Sequence, residues 1–112
     1  MIYILAVEMK NLVKILKSLA DLNRLRIIMA IGKNSLSVTE IIHVTDLPQT
    51  LASFHLKTLR NAGIVKTERN GPFIYYSLSS PDLIDTLNNL AATNNSITAL
   101  DRKKQYKHSD RS

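Results

Sequence analysis

The chain has no cysteine and no tryptophan, and only three glycines, three prolines and two phenylalanines among 112 residues. Without a thiol there is no disulfide, no thiolate metal site and no thiol redox switch. None of the three glycines sits in a phosphate-cradling loop, and neither a Ser-His-acid arrangement nor metal-ligand spacing can be assembled from the sequence. No enzyme activity, cofactor or metal site is therefore expected. Long apolar runs are also missing. Ile2 to Val7 is the longest near the start, against the roughly 20 residues that a membrane helix needs. No basic residue precedes it and no small-x-small cleavage site follows. The sequence reads as soluble and cytoplasmic, without a membrane segment or signal peptide, and both Met1 and Met9 can serve as the start.

What is present suits a single modest core. Apolar residues make up 45% of the chain, and 15 Lys and Arg against nine Asp and Glu give a formal charge of +6, a balance that favours polyanionic partners. Half of the excess lies at the end, where Arg102, Lys103, Lys104, Lys107 and Arg111 outweigh Asp101 and Asp110. Residues 1–100 are expected to form the domain, and 101–112 a basic tail that is disordered or grazes a polyanion.

Leu5, Met9, Leu12, Leu16 and Leu19 are spaced alternately four and three apart, with Lys10, Lys14 and Lys17 on the opposite arc. That period predicts an amphipathic helix over roughly 5–20. Asp21 is placed to cap a second helix, Leu22 to Ile31, which stops at Gly32. Ser37-Val-Thr-Glu40 is a capping box that opens a short helix running out at Thr45-Asp46. Pro48 is suited to the first position of the next helix, which continues from Gln49 to Ala62 and stops at Gly63. Two helices joined so tightly are a helix-turn-helix candidate. Ile64–Arg69 and Phe73–Leu78 then flank Asn70-Gly71, a hairpin-turn pair, and Pro72 makes the tip a loop. A last helix opens at Ser80-Pro81-Asp82, with Leu83, Leu87, Leu90, Asn94 and Ile97 on one seam. Two seamed terminal helices in so small a domain favour pairing with a second copy.

Along Gln49–Ala62 the helical period sends Ala52, Leu56 and Leu59 one way, with His55 at the edge. Thr50, Ser53, Phe54, Lys57 and Asn61 point the other way, and Gln49 stands at the exposed start. Small polar side chains and a glutamine suit base edges in a DNA major groove. Lys57 and Arg60 suit phosphates, and Arg69 and Asn70 suit a minor groove or backbone at the hairpin tip, with Lys66 lower on the wing. His43 is read as solvated or near a phosphate, His108 as uninvolved. Tyr75 and Tyr76 alternate across a strand, one for the core and one for the surface.

Four stretches carry a family likeness: Leu19-Ala-Asp-Leu-Asn-Arg-Leu-Arg-Ile27, Leu47-Pro-Gln-Thr-Leu-Ala-Ser-Phe-His-Leu56, Leu59-Arg-Asn-Ala-Gly-Ile-Val65 and Arg69-Asn-Gly-Pro-Phe-Ile-Tyr-Tyr76. Together, over about residues 12–79, they resemble the ArsR/SmtB family of dimeric winged-helix repressors. The resemblance implies a mainly α-helical winged helix-turn-helix fold with a two-stranded β-wing. Its terminal helices form the dimer interface, expected at Leu5, Met9, Leu12, Leu16, Leu83, Leu87 and Leu90. Taken with the residue pattern above, sequence-specific binding to a palindromic double-stranded DNA operator is expected, through Gln49, Thr50, Ser53, Phe54, Lys57, Arg60, Arg69 and Asn70. An effector, unknown in kind, would lower DNA affinity.

The departures from the family matter. Metal-sensing members have cysteines where this chain has Ser37 and Thr39, or Asp and His ligands along the last helix, where 80–97 hold no histidine. Arginines common in the family are replaced by Phe54 and Pro72, which removes charge from the expected DNA surface and offers an apolar contact to a thymine methyl. Ile42 and Ala52 exchange the family's small and large residues, which keeps packed volume constant if the two face each other. The alternatives are a winged-helix module for protein–protein contact, with DNA binding eroded by Phe54 and Pro72, or sequence-indifferent DNA coating by the basic tail. Zinc, cadmium and arsenite are expected not to release DNA. Soft ions lack thiolates here, and a stable zinc site needs about four ligands. Fluorescence anisotropy of the DNA complex under zinc titration checks this; stoichiometric release, abolished by mutating one histidine, would refute it.

Overall fold

The structure, a computed structural model, describes residues 5–93; the expectations for Asn94, Ile97, His108 and 101–112 lie outside them. The chain divides into two units, Met1–Pro81 and Asp82–Ser112. In the first, α1 (Ala6–Leu19) buries only Leu19, while Leu5, Met9, Leu12, Val13 and Leu16 stay exposed. Asp21 caps α2 (Leu22–Ile31) as expected: its carboxylate accepts the Arg24 backbone N–H at 3.0 Å. Gly32 ends α2 at φ +56°, ψ −131°, a conformation open to glycine because it has no Cβ.

Leu36–Ser37 form a short strand, β1, before α3 (Val38–Thr45). The capping box is complete. Ser37 Oγ accepts from the Glu40 N–H at 3.2 Å, and Glu40 Oε1 accepts from the Ser37 N–H at 2.9 Å. Asp46 closes α3 in the left-handed region, φ +59°, which aspartate tolerates better than most residues. Helix α4 (Gln49–Asn61) follows. Pro48 is one position outside the helix rather than its first residue. It sits extended at ψ 146° as the N-cap, and its carbonyl accepts the Ala52 N–H at 2.9 Å. The ring fixes φ alone, so the same residue suits either position.

Strands β2 (Val65–Asn70) and β3 (Phe73–Leu78) pair antiparallel from Val65↔Leu78 to Asn70↔Phe73. The wing hairpin is as expected, but the sheet has a third strand: β1 adds to the other edge of β3, giving the order β1-β3-β2. This changes the tyrosines. Tyr75 pairs with Ser37 and Tyr76 with Leu36, so β3 is the middle strand and both rings are half-buried, instead of one buried and one exposed.

The core gathers where α2, α3 and α4 pack. Ile27, Ile28, Ile31, Ile41, Leu56 and Leu59 are its largest fully buried side chains, each contributing about 1.5–3 kcal/mol by leaving water. Ala52 on α4 is fully buried and Ile42 on α3 is half-buried. In the second unit, helix α5 covers 83–93, with Leu83 and Leu87 half-buried and Leu90 exposed. No helix among the described residues is long and apolar enough to cross a membrane.

The Asp21 carboxylate titrates below its ordinary range, chiefly because it accepts the Arg24 backbone N–H, with the Arg24 guanidinium adding to the effect and partial desolvation opposing it. A depressed folded-state pKa means that its contribution is complete above the unfolded value, about 3.9. The contribution is then lost as pH falls through the lower folded value. Asp21→Ala should lower the melting temperature by roughly 5 °C at neutral pH, the scale of one helix cap in a domain of this size. The gap from wild type should narrow as pH falls below the unfolded value of about 3.9. Thermal melts followed by circular dichroism across pH test both statements.

Candidate nucleic-acid interface

The link between α3 and α4 is short, and hydrogen bonds hold it. Thr45 Oγ1 donates to the Ile41 carbonyl at 2.7 Å and accepts the Leu47 N–H at 3.4 Å. From α2, Arg26 Nη2 donates to the Thr45 carbonyl. Thr45 and Leu47 are both buried, so the turn is anchored from beneath and α4 leaves it in a defined direction.

Helix α4 then has two faces. Ala52, His55, Leu56 and Leu59 are buried, while Gln49, Thr50, Ser53, Phe54, Lys57, Arg60 and Asn61 are exposed. Six of the eight expected DNA-binding residues therefore share one exposed surface on α4. The other two, Arg69 and Asn70, are exposed at the end of β2 beside the turn at Gly71. No side chain caps the start of α4, which leaves its first N–H groups available to an outside acceptor such as a phosphate.

The surface mixes charge with apolar area. Lys57, Arg60, Lys66 and Arg69 are exposed cations, and Glu68 is an exposed carboxylate on the wing. A cavity of about 450 Å³ lies beside Arg69 and Asn70, lined also by Ser35, Glu68 and Tyr75. Phe54 is 60% exposed in the middle of the α4 face. Phe73 and Ile74, exposed on β3 opposite Asn70 and Arg69, are surface residues that the sequence reading assigned only to a strand. The signal for them was there: Phe73-Ile-Tyr-Tyr76 has no alternating polar residue, so a strand with one face in water must leave some apolar groups exposed.

His55 is 5% exposed, buried rather than at the edge of the face. Its Nδ1 lies 3.2 Å from Arg24 Nη1 and its Nε2 lies 3.9 Å from Asp21 Oδ1. A guanidinium only donates, so in this contact Nδ1 accepts and the ring proton sits on Nε2, facing the carboxylate. Arg24 Nε also donates to the Ser18 carbonyl of α1 at 2.6 Å. Phe54 meets the His55 ring edge-on, with centroids 5.3 Å apart. His43 is exposed on α3, and among the described residues no three His, Asp or Glu side chains come together as a metal site.

Known proteins share this sequence pattern and this fold. Residues 21–67 match the model of a family described as bacterial regulatory protein, arsR family. The chain is 39% identical over 69 residues to the transcriptional repressor PagR of Bacillus anthracis, covering 61% of this chain and 69% of that one. To the transcriptional activator HlyU of Vibrio cholerae it is 37% identical over 71 residues, covering 63% and 66%. The chain thus spans about two thirds of the length of these curated relatives. The solved structure of HlyU superposes with a TM-score of 0.71 at 32% identity, over 77% of this chain and 97% of that chain.

His55→Ala should destabilise the protein by about 1–3 kcal/mol, because it leaves Arg24 Nη1 without this acceptor in a part-buried position. Urea denaturation should show a lower midpoint with an unchanged slope.

Proposed function

We propose that this protein represses transcription by occupying operator DNA as a homodimer, and the premise is its family: the chain belongs to the arsR family of bacterial regulatory proteins. The observation that carries the proposal is the exposed polar face of α4. The helix opens with an N-terminus that no side chain caps, and the wing tip adds exposed Arg69 and Asn70. In this reading Gln49, Thr50 and Ser53 meet base edges, and Phe54 lies against a thymine methyl. Lys57 and Arg60 hold phosphates, and Arg69 and Asn70 reach the minor groove or backbone. Occupancy of the operator is repression in its simplest physical form, and PagR, named a repressor, supports that direction.

Pairing follows from the apolar stripe on α1. Leu5 is 61% exposed, Leu16 is 50% exposed, and Met9 and Leu12 are exposed between them. A continuous stripe of this kind on a single chain is a surface for association. The α5 seam, with Leu83, Leu87 and Leu90, supplies the rest of the interface. A two-fold dimer presents two α4 helices to one duplex, so the operator is an imperfect palindrome with half-site centres roughly 34–36 Å apart or a multiple of that. The protein acts in the cytoplasm, where the DNA is. Its inducing signal works without thiol chemistry, because there is no cysteine.

In-vitro selection from random duplexes should return a palindromic motif, and sedimentation should give a dimer at micromolar concentration. Arg69→Ala should weaken binding to every sequence and flatten the salt dependence by about one unit. Ser53→Ala or Gln49→Ala should instead relax preference at particular bases, by about 1–3 kcal/mol for a bidentate contact. A monomer binding a single half-site would refute the dimer. Equal, sequence-independent losses from all three variants would refute this division of roles.

A further inference from the structure

A cavity of about 350 Å³ lies between α1 and the C-terminal end of α4, outside the surface assigned so far. Its polar lining comes from Asn11, Lys14 and Ser18 on α1 and from Thr58 and Asn61 on α4, and no carboxylate is among the described residues that line it. Ser18 Oγ donates to the Lys14 carbonyl at 3.0 Å, and Thr58 Oγ donates to the Phe54 carbonyl at 3.2 Å. The hydroxyl protons are thereby engaged. The Lys14 ammonium and the Asn11 and Asn61 carboxamides have no hydrogen-bond or ion-pair partner among the described residues. One ammonium and two amide donors around a cavity without acid are the chemistry of an oxyanion site.

The C-terminal end of a helix carries partial negative charge that repels anions. Here the Thr58, Leu59 and Arg60 carbonyls accept the N–H groups of Ala62, Ile64 and Gly63 at 2.9–3.1 Å, so much of that charge is already paired. Exposed lysines on a helix are also ordinary. Lys14, however, belongs to a row with Lys10 and Lys17, all exposed. Asn61 lies four residues beyond Lys57, on the arc that carries Thr50, Ser53 and Phe54. The cavity therefore borders the far end of the face already assigned to DNA.

We propose that this cavity binds a phosphate-class oxyanion through Lys14, Asn11 and Asn61, and that the sugar–phosphate backbone of the bound DNA supplies it. The second half rests on the DNA-binding reading above; the first does not. Helix α1 then carries phosphate-neutralising charge as well as the pairing stripe. The test uses the full chain and its Lys14→Gln variant, bound to random-sequence duplexes between about 50 and about 200 mM salt. Without DNA, both are titrated with inorganic phosphate and followed by amide NMR. Lys14→Gln should weaken binding to all duplexes alike and remove about one unit from the salt slope. That is roughly three- to fourfold less change in affinity across that salt range, with helix content unchanged by circular dichroism. Phosphate-induced shifts confined to residues 11–18 and 58–62, and lost in Lys14→Gln, would support the site with a free oxyanion as its source. An unchanged salt slope together with no localised shifts would overturn the site. If the wild-type chain shows no salt-dependent duplex binding, the DNA reading falls, and the phosphate titration still decides the cavity.

Discussion

One guanidinium joins three helices. Arg24 donates through Nε to the last turn of α1 at Ser18 and through Nη1 to His55 in the middle of α4, while its own backbone N–H is held by Asp21 at the start of α2. The Ser18 carbonyl is among those a helix end leaves without an internal partner. The same contact therefore completes α1 and sets the rotation of α4 about its axis. Charge-assisted bonds of this kind contribute more than neutral ones, about 1.5–3 kcal/mol. Their value here is geometric. Turning α4 by a single residue would take His55 from Arg24 and exchange the buried Ala52, Leu56 and Leu59 for the polar residues of the opposite face.

The second arginine of α2 does comparable work on the turn. Arg26 reaches the Thr45 carbonyl, and Thr45 in turn holds Leu47. Two residues apart on one helix, Arg24 fixes the rotation of α4 and Arg26 fixes where it begins. Helix α2 is therefore more than core filling, although its three buried isoleucines place it there. The outward face of α4 can vary in sequence with little effect on the fold, because among the described residues no hydrogen bond or ion pair ties its side chains to another element.

Local features could be read from the sequence because they are closed within a few residues. The Ser37–Glu40 box spans three positions, the Asp21 cap spans three, and Gly63 and Gly71 mark backbone conformations with positive φ. The exposed arc from Gln49 to Asn61 followed from helical period alone. What escaped was non-local or too short to have a period. β1 is two residues long and exists through its pairing with Tyr75 and Tyr76. The His55–Arg24 contact spans 31 positions, and no pattern along the chain encodes it. Positions 52, 55, 56 and 59 do form a helical stripe, so the burial of His55 was within reach; its polar identity set it at the edge. Pro48 fell one place away because proline suits both positions at a helix start.

Ser37 has two roles at once. It pairs with Tyr75 in the wing sheet, and its side chain caps α3. A helix cap is a small contact, and here it is also the joint at which the hairpin is fastened to the helix-turn-helix. Force applied at the wing tip would pass through β3 to β1 and arrive at the first turn of α3. The wing is thus not a free flap. One residue shared between strand and helix means that the reach of the hairpin is measured from the first turn of α3, as the arm of a caliper is measured from its hinge.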